Sequence, residues 1–331
     1  MSRPAKIIAS VAVLVVLAGA AWFLVNLIRD AVTPVAGPGP ECVVQPNDTG
    51  AAVLTVALGD STLVTSVAGA APVLDDALSL TAVQLQHAAT VNAVGLHRGL
   101  SARARVIAVA TALQESSLRN LASGDLDSVG LFQQRPSQGW GTFAQISDPI
   151  YAAGKFYDAL VDVSGWETLA LTDAAQAVQR SGHPTAYAKW EPAATQLVTA
   201  LSGPGYRAVT CRSGATAPTA DAPARPALDG TASANAQLGA ALADANAELG
   251  GITLDELPGP DRGVVTAALA NLSAAESAGA LASWAVAHAT GSGITAVEID
   301  GFSWQNNQWT TGATQLPAGQ VRITAGPAAA A

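Results

Sequence analysis

The segment from Ser101 to Leu118 constrains the fold most, because its central residues leave no polar face. Val106, Val109 and Leu113 recur at helical spacing, and Ser101 is suited to the N-cap position. Between Val106 and Leu113 the helix is apolar nearly all round, so other elements must cover it on every side. The sequence therefore predicts a helical core that contains this segment.

Glu115 lies near the carboxyl end of this predicted helix, where a negative charge is unfavourable. The helix dipole places partial negative charge at that end, and burial disfavours an ionised carboxylate. Both effects raise the pKa of a carboxyl group, as a glycosidase requires of the acid that protonates the leaving oxygen. An ordinary ion pair between Glu115 and Arg119, one helical turn apart, is the alternative interpretation.

A second motif follows Glu115 in the chain. Glu115-Ser116 precedes Gly130-Leu131-Phe132-Gln133. This order and interval resemble the Glu-Ser and Gly-Leu-Met-Gln signature of soluble lytic transglycosylases and goose-type lysozymes, which belong to the lysozyme-like superfamily. The resemblance covers roughly residues 80 to 200. It implies a mostly α (α+β) lysozyme-like domain that cleaves the MurNAc–GlcNAc β-1,4 bond of peptidoglycan.

The chain departs from this family at one point. Asp148-Pro149 is similar to the family's Asp-Pro segment, but the family's later Tyr-Asn pair is missing. Gln179 is the candidate to replace the amide of that pair, and Tyr187 is the candidate to supply the aromatic ring. The departure concerns the substrate-stabilising side of the site and leaves Glu115 unaffected.

The resemblance also implies roles for individual residues. Glu115 is expected to protonate the leaving oxygen and then to act as a base. A transglycosylase needs no second carboxylate, because the substrate's 6-hydroxyl is the nucleophile, whereas a hydrolytic lysozyme needs a partner such as Asp125, Asp127 or Asp148. The expected substrate contacts are Ser116, Ser128, Gln133, Gln134, Gln179 and Tyr187. A catalytically inactive peptidoglycan-binding or envelope scaffold protein is the alternative function.

The N-terminal apolar run from Ile7 to Ile28 predicts a transmembrane signal-anchor. It is long enough to cross a bilayer, and Arg3 and Lys6 before it place the N-terminus in the cytoplasm. A cleaved signal peptide is the alternative, since Ala18-Gly19-Ala20 resembles a cleavage site. The expectation is a single-pass cell-membrane protein with the bulk of the chain extracytoplasmic.

The two cysteines support this expectation. Cys42 and Cys211 bracket the segment that carries the Glu115 motif. In an oxidising compartment such a pair predicts one disulfide. Two unrelated buried thiols are the alternative.

Composition argues against several other functions. The formal net charge is −9 and no basic stripe is present, so nucleic acid is not an expected partner. The four histidines lie apart and no Cys-x-x-Cys occurs, so no metal and no cofactor is expected. Ser116 lacks a Gly-x-Ser-x-Gly context, which argues against a serine hydrolase.

Composition shifts divide the chain into five expected regions. They are residues 1–30, the cytoplasmic N-terminus and anchor; 31–50, a linker; 51–212, the lysozyme-like domain; 213–235, a flexible Ala/Pro/Thr-rich linker; and 236–326, a small α+β module of unknown role.

Helices are expected near 80–96, 101–118, 149–162, 172–181, 190–201, 236–249 and 273–290. Residues 51–72 fit a strand pair, an irregular entry or an insertion. Trp304 and Trp309, after the hairpin turn Asp300-Gly301, fit either core or sugar-stacking roles.

Overall fold

A central helix, Ala82–His97, organises the fold in the computed structural model, which describes residues 41–46, 55–58, 61–64, 77–203, 205–211, 234–259 and 261–326. Every residue of this helix from Leu85 to Leu96 is buried. The described part of the chain contains eight α-helices. They are α1 Ala82–His97, α2 Ala102–Ser116, α3 Phe143–Ile146, α4 Pro149–Val161, α5 Leu171–Gln179, α6 Glu191–Ala200, α7 Ala234–Leu249 and α8 Ala274–Ser292.

The same residues contain eleven strands, all paired in antiparallel fashion. They are β1 Glu41–Val44, β2 Thr55–Leu58, β3 Ser61–Val64, β4 Leu78–Thr81, β5 Val209–Cys211, β6 Ile252–Gly259, β7 Arg262–Ala267, β8 Ile294–Ile299, β9 Phe302–Gln305, β10 Gln308–Thr311 and β11 Gln320–Ala325. A three-stranded sheet has the order β4-β1-β5, and a six-stranded sheet has the order β10-β9-β8-β11-β7-β6. Strands β2 and β3 pair with each other, so a strand pair occurs within residues 51–72.

Helix α1 begins with a capping box. The Thr81 hydroxyl accepts a hydrogen bond from the backbone N–H of Gln84, and the Gln84 side chain accepts one from the backbone N–H of Thr81. The helix then packs against α2, α4, α7 and α8. Because these four helices surround it, α1 needs no polar face, and its burial explains why it lacks amphipathic patterning.

The buried Asn92 side chain of α1 makes hydrogen bonds inside the core. The Asn92 amide donates to the Leu201 carbonyl at 2.9 Å and accepts from Arg105 of α2 at 2.9 Å. Burial lowers the pKa of Arg105, and the nearby Tyr157 opposes this effect. A Cβ atom at Gly95 would lie 2.5 Å from Cγ of Arg105, so only glycine permits this close approach of α1 to α2.

The predicted disulfide is confirmed. Cys42 of β1 and Cys211 of β5 stand opposite each other on neighbouring strands and form a disulfide. The two cysteines are 169 residues apart in sequence. The bond therefore ties the two ends of the segment that carries α1 to α6.

Replacing both cysteines with serine is expected to lower the free energy of unfolding by about 4 kcal/mol, because the loop that the disulfide closes is long. Denaturant unfolding without reductant, compared between the wild type and the double variant Cys42→Ser/Cys211→Ser, measures this difference. Equal midpoints for the two proteins would contradict the prediction.

The C-terminal residues pack onto the same hydrophobic core as the helices before them. Helix α8 contacts α1 and β5, and Trp309 donates a hydrogen bond to the Val209 carbonyl at 2.9 Å. Trp304 is fully buried, so the core interpretation holds for it, and Trp309 likewise packs against Tyr206. The described residues between 41 and 326 belong to one compact unit. The domain boundaries at 212 and 236 stay predictions.

The predicted fold class is wrong. A mostly α lysozyme-like domain followed by a small α+β module does not describe this chain, because two antiparallel sheets hold a substantial part of it. Strand β6 shows why the sequence does not reveal the sheets. Leu254 and Leu257 are exposed, so β6 lacks the alternation of buried apolar and exposed polar residues that identifies a strand. Its extended conformation comes from pairing with β7 along its length.

The predicted transmembrane helix and single-pass membrane localisation are contradicted as well. None of the helices in the described ranges is both long and apolar enough to cross a membrane. The run from Ile7 to Ile28, which motivated the prediction, lies outside the described residues.

Removing residues 234–331 is expected to destabilise the rest of the chain strongly. Helices α7 and α8 cover α1, and their removal would expose apolar side chains whose burial contributes ~1.5–3 kcal/mol each. A few such losses exceed the stability of a typical domain, about 5–15 kcal/mol. Thermal unfolding followed by circular dichroism should show a much lower midpoint or no cooperative transition. An unchanged midpoint would mean that the two parts fold independently.

Candidate active site

Glu115 is the penultimate residue of α2, at the end of a helix whose middle is buried. The helix begins at the N-cap Ser101 and is buried from Ala104 to Leu113. It ends at Ser117, which has a left-handed conformation with φ 54°. Glu115 therefore lies at the end of a helix that is anchored in the core.

Side chains of α1 hold the chain directly after Glu115. The Gln84 amide donates to the Ser117 carbonyl at 2.9 Å, and Nδ1 of His87 lies 2.7 Å from the Leu118 carbonyl. Because a carbonyl oxygen only accepts, His87 donates through Nδ1. These bonds satisfy carbonyl groups at the end of α2 that have no partner in the helix itself. They also fix where the helix stops and hence where Glu115 points.

The Glu115 carboxyl group is partly buried and accepts a hydrogen bond from the Tyr187 hydroxyl at 2.7 Å. Burial raises its pKa, while hydrogen bonds from Tyr187 and Gln179 and the positive charge of nearby His183 oppose the rise. The groups that act on Glu115 do not include Arg119. The ion-pair interpretation of Glu115 therefore does not describe the contacts it makes.

The groups around Glu115 come from one short segment, residues 179–187. The segment starts at the end of α5 and turns at Arg180, which has φ 49°. Hydrogen bonds between Gln176 and Ser181 close the turn, and Thr172 donates to the Pro184 carbonyl at 2.8 Å. Burial and the neighbouring Glu115 charge raise the pKa of Tyr187, so its hydroxyl stays protonated and acts as a donor.

The motif Gly130-Leu131-Phe132-Gln133 lies against the end of α2. The Ser116 hydroxyl donates to the Leu131 carbonyl at 2.8 Å, and the Gln179 amide donates to the Phe132 carbonyl at 2.8 Å. Gln179 therefore connects this loop to Glu115. A Cβ at Gly130 would lie 2.7 Å from the Ile146 carbonyl oxygen, so this position requires glycine. The chain between the two motifs must therefore be long enough to return Leu131 to Ser116 at the end of α2.

The six predicted substrate contacts fall into two groups. Gln179 and Tyr187 act directly on the Glu115 carboxyl group. The other four bond to the protein itself: Ser116 as described, Ser128 to the Asp125 carbonyl at 2.5 Å, Gln133 to the Gly130 carbonyl at 3.1 Å and Gln134 to the Ala152 carbonyl at 3.2 Å. These bonds build the loop. Contact of the four with substrate stays a prediction.

Asp125, Asp127 and Asp148 are the candidates for a second catalytic carboxylate, and two of them bond to other groups of the protein. Asp127 bonds Arg135 at 2.7 Å and the Ser137 backbone N–H at 2.8 Å, which hold the pKa of its carboxyl group far below the usual range. Asp148 is the N-cap of α4 and accepts from the Ile150 N–H at 2.9 Å. Asp125 is exposed. None of these carboxylates is among the groups that influence Glu115.

Two side chains near the site were not singled out by the sequence. His183 lies close enough to influence the Glu115 charge, and the Trp190 indole donates to Gln114, the neighbour of Glu115, at 2.8 Å. Neither has a local pattern that would identify it, because each contact joins residues about 70 positions apart along the chain. Across the described ranges, no three His, Cys, Asp or Glu residues are grouped so that they could hold a metal ion.

In comparisons with known proteins, no family model and no curated protein matches this chain.

Tyr187→Phe is expected to raise the pKa of Glu115 further above its ordinary value. The hydroxyl stabilises the charged carboxylate through its hydrogen bond, so its removal favours the protonated form. Carbon-13 NMR titration of the glutamate carboxyl groups measures the change. The matched control is Tyr151→Phe, whose hydroxyl bonds the Trp140 carbonyl instead. A lower Glu115 pKa in Tyr187→Phe would contradict the prediction.

Proposed function

We propose that this protein cleaves the glycan strand of peptidoglycan, with Glu115 as the single catalytic carboxyl group. The observation that carries the proposal is the state of Glu115: a partly buried carboxyl group with a raised pKa, oriented by the 2.7 Å hydrogen bond from Tyr187. A general acid in a glycosidase needs these properties, because it must hold a proton near neutral pH and deliver it in a fixed direction.

The reaction has two steps. Glu115 donates its proton to the oxygen of the β-1,4 bond, which leaves as a hydroxyl group. The resulting Glu115 carboxylate then takes the proton from the substrate's own 6-hydroxyl, whose oxygen attacks the anomeric carbon. The Glu115 carboxyl group is regenerated, and the product ends in a 1,6-anhydro ring.

The surroundings of Glu115 favour this route over hydrolysis. A hydrolase places a second carboxylate at ~5 Å or ~6.5–9.5 Å from the acid. Asp127 and Asp148 are engaged in bonds of their own. Within the described ranges, the groups that affect the charge of Glu115 are Tyr187, Gln179 and His183. A mechanism with one carboxyl group fits this arrangement.

The identity of the substrate rests on the resemblance between Glu115-Ser116 with Gly130-Leu131-Phe132-Gln133 and the signature of peptidoglycan-cleaving enzymes. The contacts between these two motifs support it. Ser116 bonds the Leu131 carbonyl and Gln179 joins the Phe132 carbonyl to Glu115. The motif loop is therefore bonded to the end of α2 and, through Gln179, to the acid.

A second function, glycan binding without cleavage, is favoured by one observation. The family's Tyr-Asn pair is missing, and Gln179, the candidate to replace its amide, already donates to the Phe132 carbonyl. In that case the site would retain its shape and lack turnover.

Glu115→Gln is expected to reduce release of soluble glycan fragments from purified sacculi at least a hundredfold, since general acid catalysis contributes about 10²–10⁴-fold. Glu167→Gln, an exposed glutamate outside the site, is the matched control and should retain full activity. Mass spectrometry of the fragments should show 1,6-anhydro-MurNAc ends. Reducing ends would indicate hydrolysis. Binding of wild-type protein to sacculi without any release would establish the binding function instead.

The pH dependence provides a separate test. Catalysis needs protonated Glu115, so activity should fall as the pH rises through its raised pKa. Folding also favours the protonated form of Glu115, because its pKa is higher in the folded protein than in the unfolded chain. Protonated Glu115 therefore contributes to stability at pH values below the ordinary glutamate pKa. This contribution is lost as the pH rises through the raised pKa of the folded state. Glu115→Gln removes that loss. Its melting temperature at neutral pH should therefore equal or exceed that of the wild type.

A further inference from the structure

A cavity of about 310 Å³ lies apart from Glu115 and opens to the surface. It forms where three segments meet: the turn before β5, the first turn of α8, and the turn between β8 and β9. Its lining residues are Tyr206, Arg207, Ala275, Glu276, Asp300 and Phe302. None of them is among the groups that act on Glu115. The volume is at the small end of the range for ligand sites, about 300–1,000 Å³.

Two aromatic rings form walls of this cavity and are held in place. The Tyr206 ring packs edge-on against Trp309, with centroids 5.2 Å apart, and Trp309 is itself anchored by its bond to the Val209 carbonyl. The Phe302 ring is covered by the Arg207 guanidinium at 4.2 Å. Stacking of this kind restrains the arginine while its N–H edges remain able to bind.

The charged side chains of the cavity differ in whether they already make hydrogen bonds within the protein. The Glu276 carboxylate accepts from the Ser273 backbone N–H at 2.8 Å and from the Ser273 hydroxyl at 2.6 Å, so it serves as a helix cap. Arg207 and Asp300 make no ion pair with each other, and within the described ranges neither side chain has a hydrogen bond. The cavity therefore presents one uncommitted cation and one uncommitted anion.

Arg207 and Asp300 line the same cavity, and both act on the hydroxyl of Tyr206. Burial raises the pKa of its hydroxyl, the negative charge of Asp300 adds to the rise, and the positive charge of Arg207 opposes it. Both charges thus act on one phenol group that borders the cavity. A ligand between them would meet a guanidinium on one side and a carboxylate on the other.

We propose that this cavity binds a small zwitterion that carries one ammonium and one carboxylate group, such as an amino acid or a dipeptide. Arg207 binds the ligand carboxylate with its paired N–H groups, the geometry that guanidinium provides for carboxylates. Asp300 binds the ammonium group, and the rings of Tyr206 and Phe302 cover the ligand's carbon atoms. This site is independent of Glu115 and of the proposed glycan cleavage.

Calorimetric titration of the full chain with alanine and with alanyl-alanine tests the proposal and distinguishes an amino acid from a dipeptide. Saturable binding of at least one of them is expected. N-acetylalanine lacks the ammonium group and alaninamide lacks the carboxylate, so each should bind at least tenfold more weakly. Binding of all four with equal affinity, or of none, would overturn the proposal.

Two variants locate the site. Arg207→Gln and Asp300→Asn should each weaken binding at least tenfold, because each removes one charge. Asparagine tolerates the left-handed conformation of Asp300, which has φ 51°, so the turn is preserved. The matched controls are Arg262→Gln and Asp162→Asn, both on exposed residues elsewhere, and they should bind like the wild type. Wild-type affinity in both cavity variants, with unchanged melting temperatures, would refute the site. The ligand series on the wild type remains decisive if a variant fails to fold.

Discussion

The burial of α1 is the constraint on which the rest of this structure depends. A helix with no exposed face cannot lie at a surface, so the chain must supply elements on all sides of it. Helices α2 and α4 cover it from one part of the chain, and α7 and α8 cover it from another. Its buried Asn92 side chain is satisfied by Arg105 of α2 and by the Leu201 carbonyl after α6, as burial of an amide requires.

The same helix prepares the candidate active site. Gln84 and His87 reach from α1 to the carbonyls just beyond Glu115, so the acid is placed by the core and not by a mobile loop. The segment 179–187 then adds a hydroxyl and an amide from the opposite side. These donors favour the carboxylate while burial favours the acid, and burial is the larger effect. A carboxyl group balanced in this way can both release and regain a proton.

The two candidate sites have different physical origins. Around Glu115, side chains converge on a single carboxyl group, and most neighbouring amides are already bonded to the backbone. In the cavity beside Tyr206, Arg207 and Asp300 come from separate turns, and neither side chain has a hydrogen bond within the described ranges. Tyr206, next to Arg207, packs on Trp309 of the C-terminal sheet. The C-terminal residues therefore contribute both cover for α1 and one side of this cavity.

The sequence by itself determined the features that depend on local pattern. The apolar stretch of α2 and the position of Glu115 near its end follow from helical periodicity, and the direction of the Glu115 pKa shift follows from burial. The pairing of Cys42 with Cys211 followed from there being two cysteines. Only the tertiary structure decided the features that depend on contacts between distant residues. These features are the sheets, in which β6 is extended because it pairs with β7, and the hydrogen bond from Tyr187 to Glu115. No local pattern specifies which distant residues meet, since that is settled by how the whole core packs.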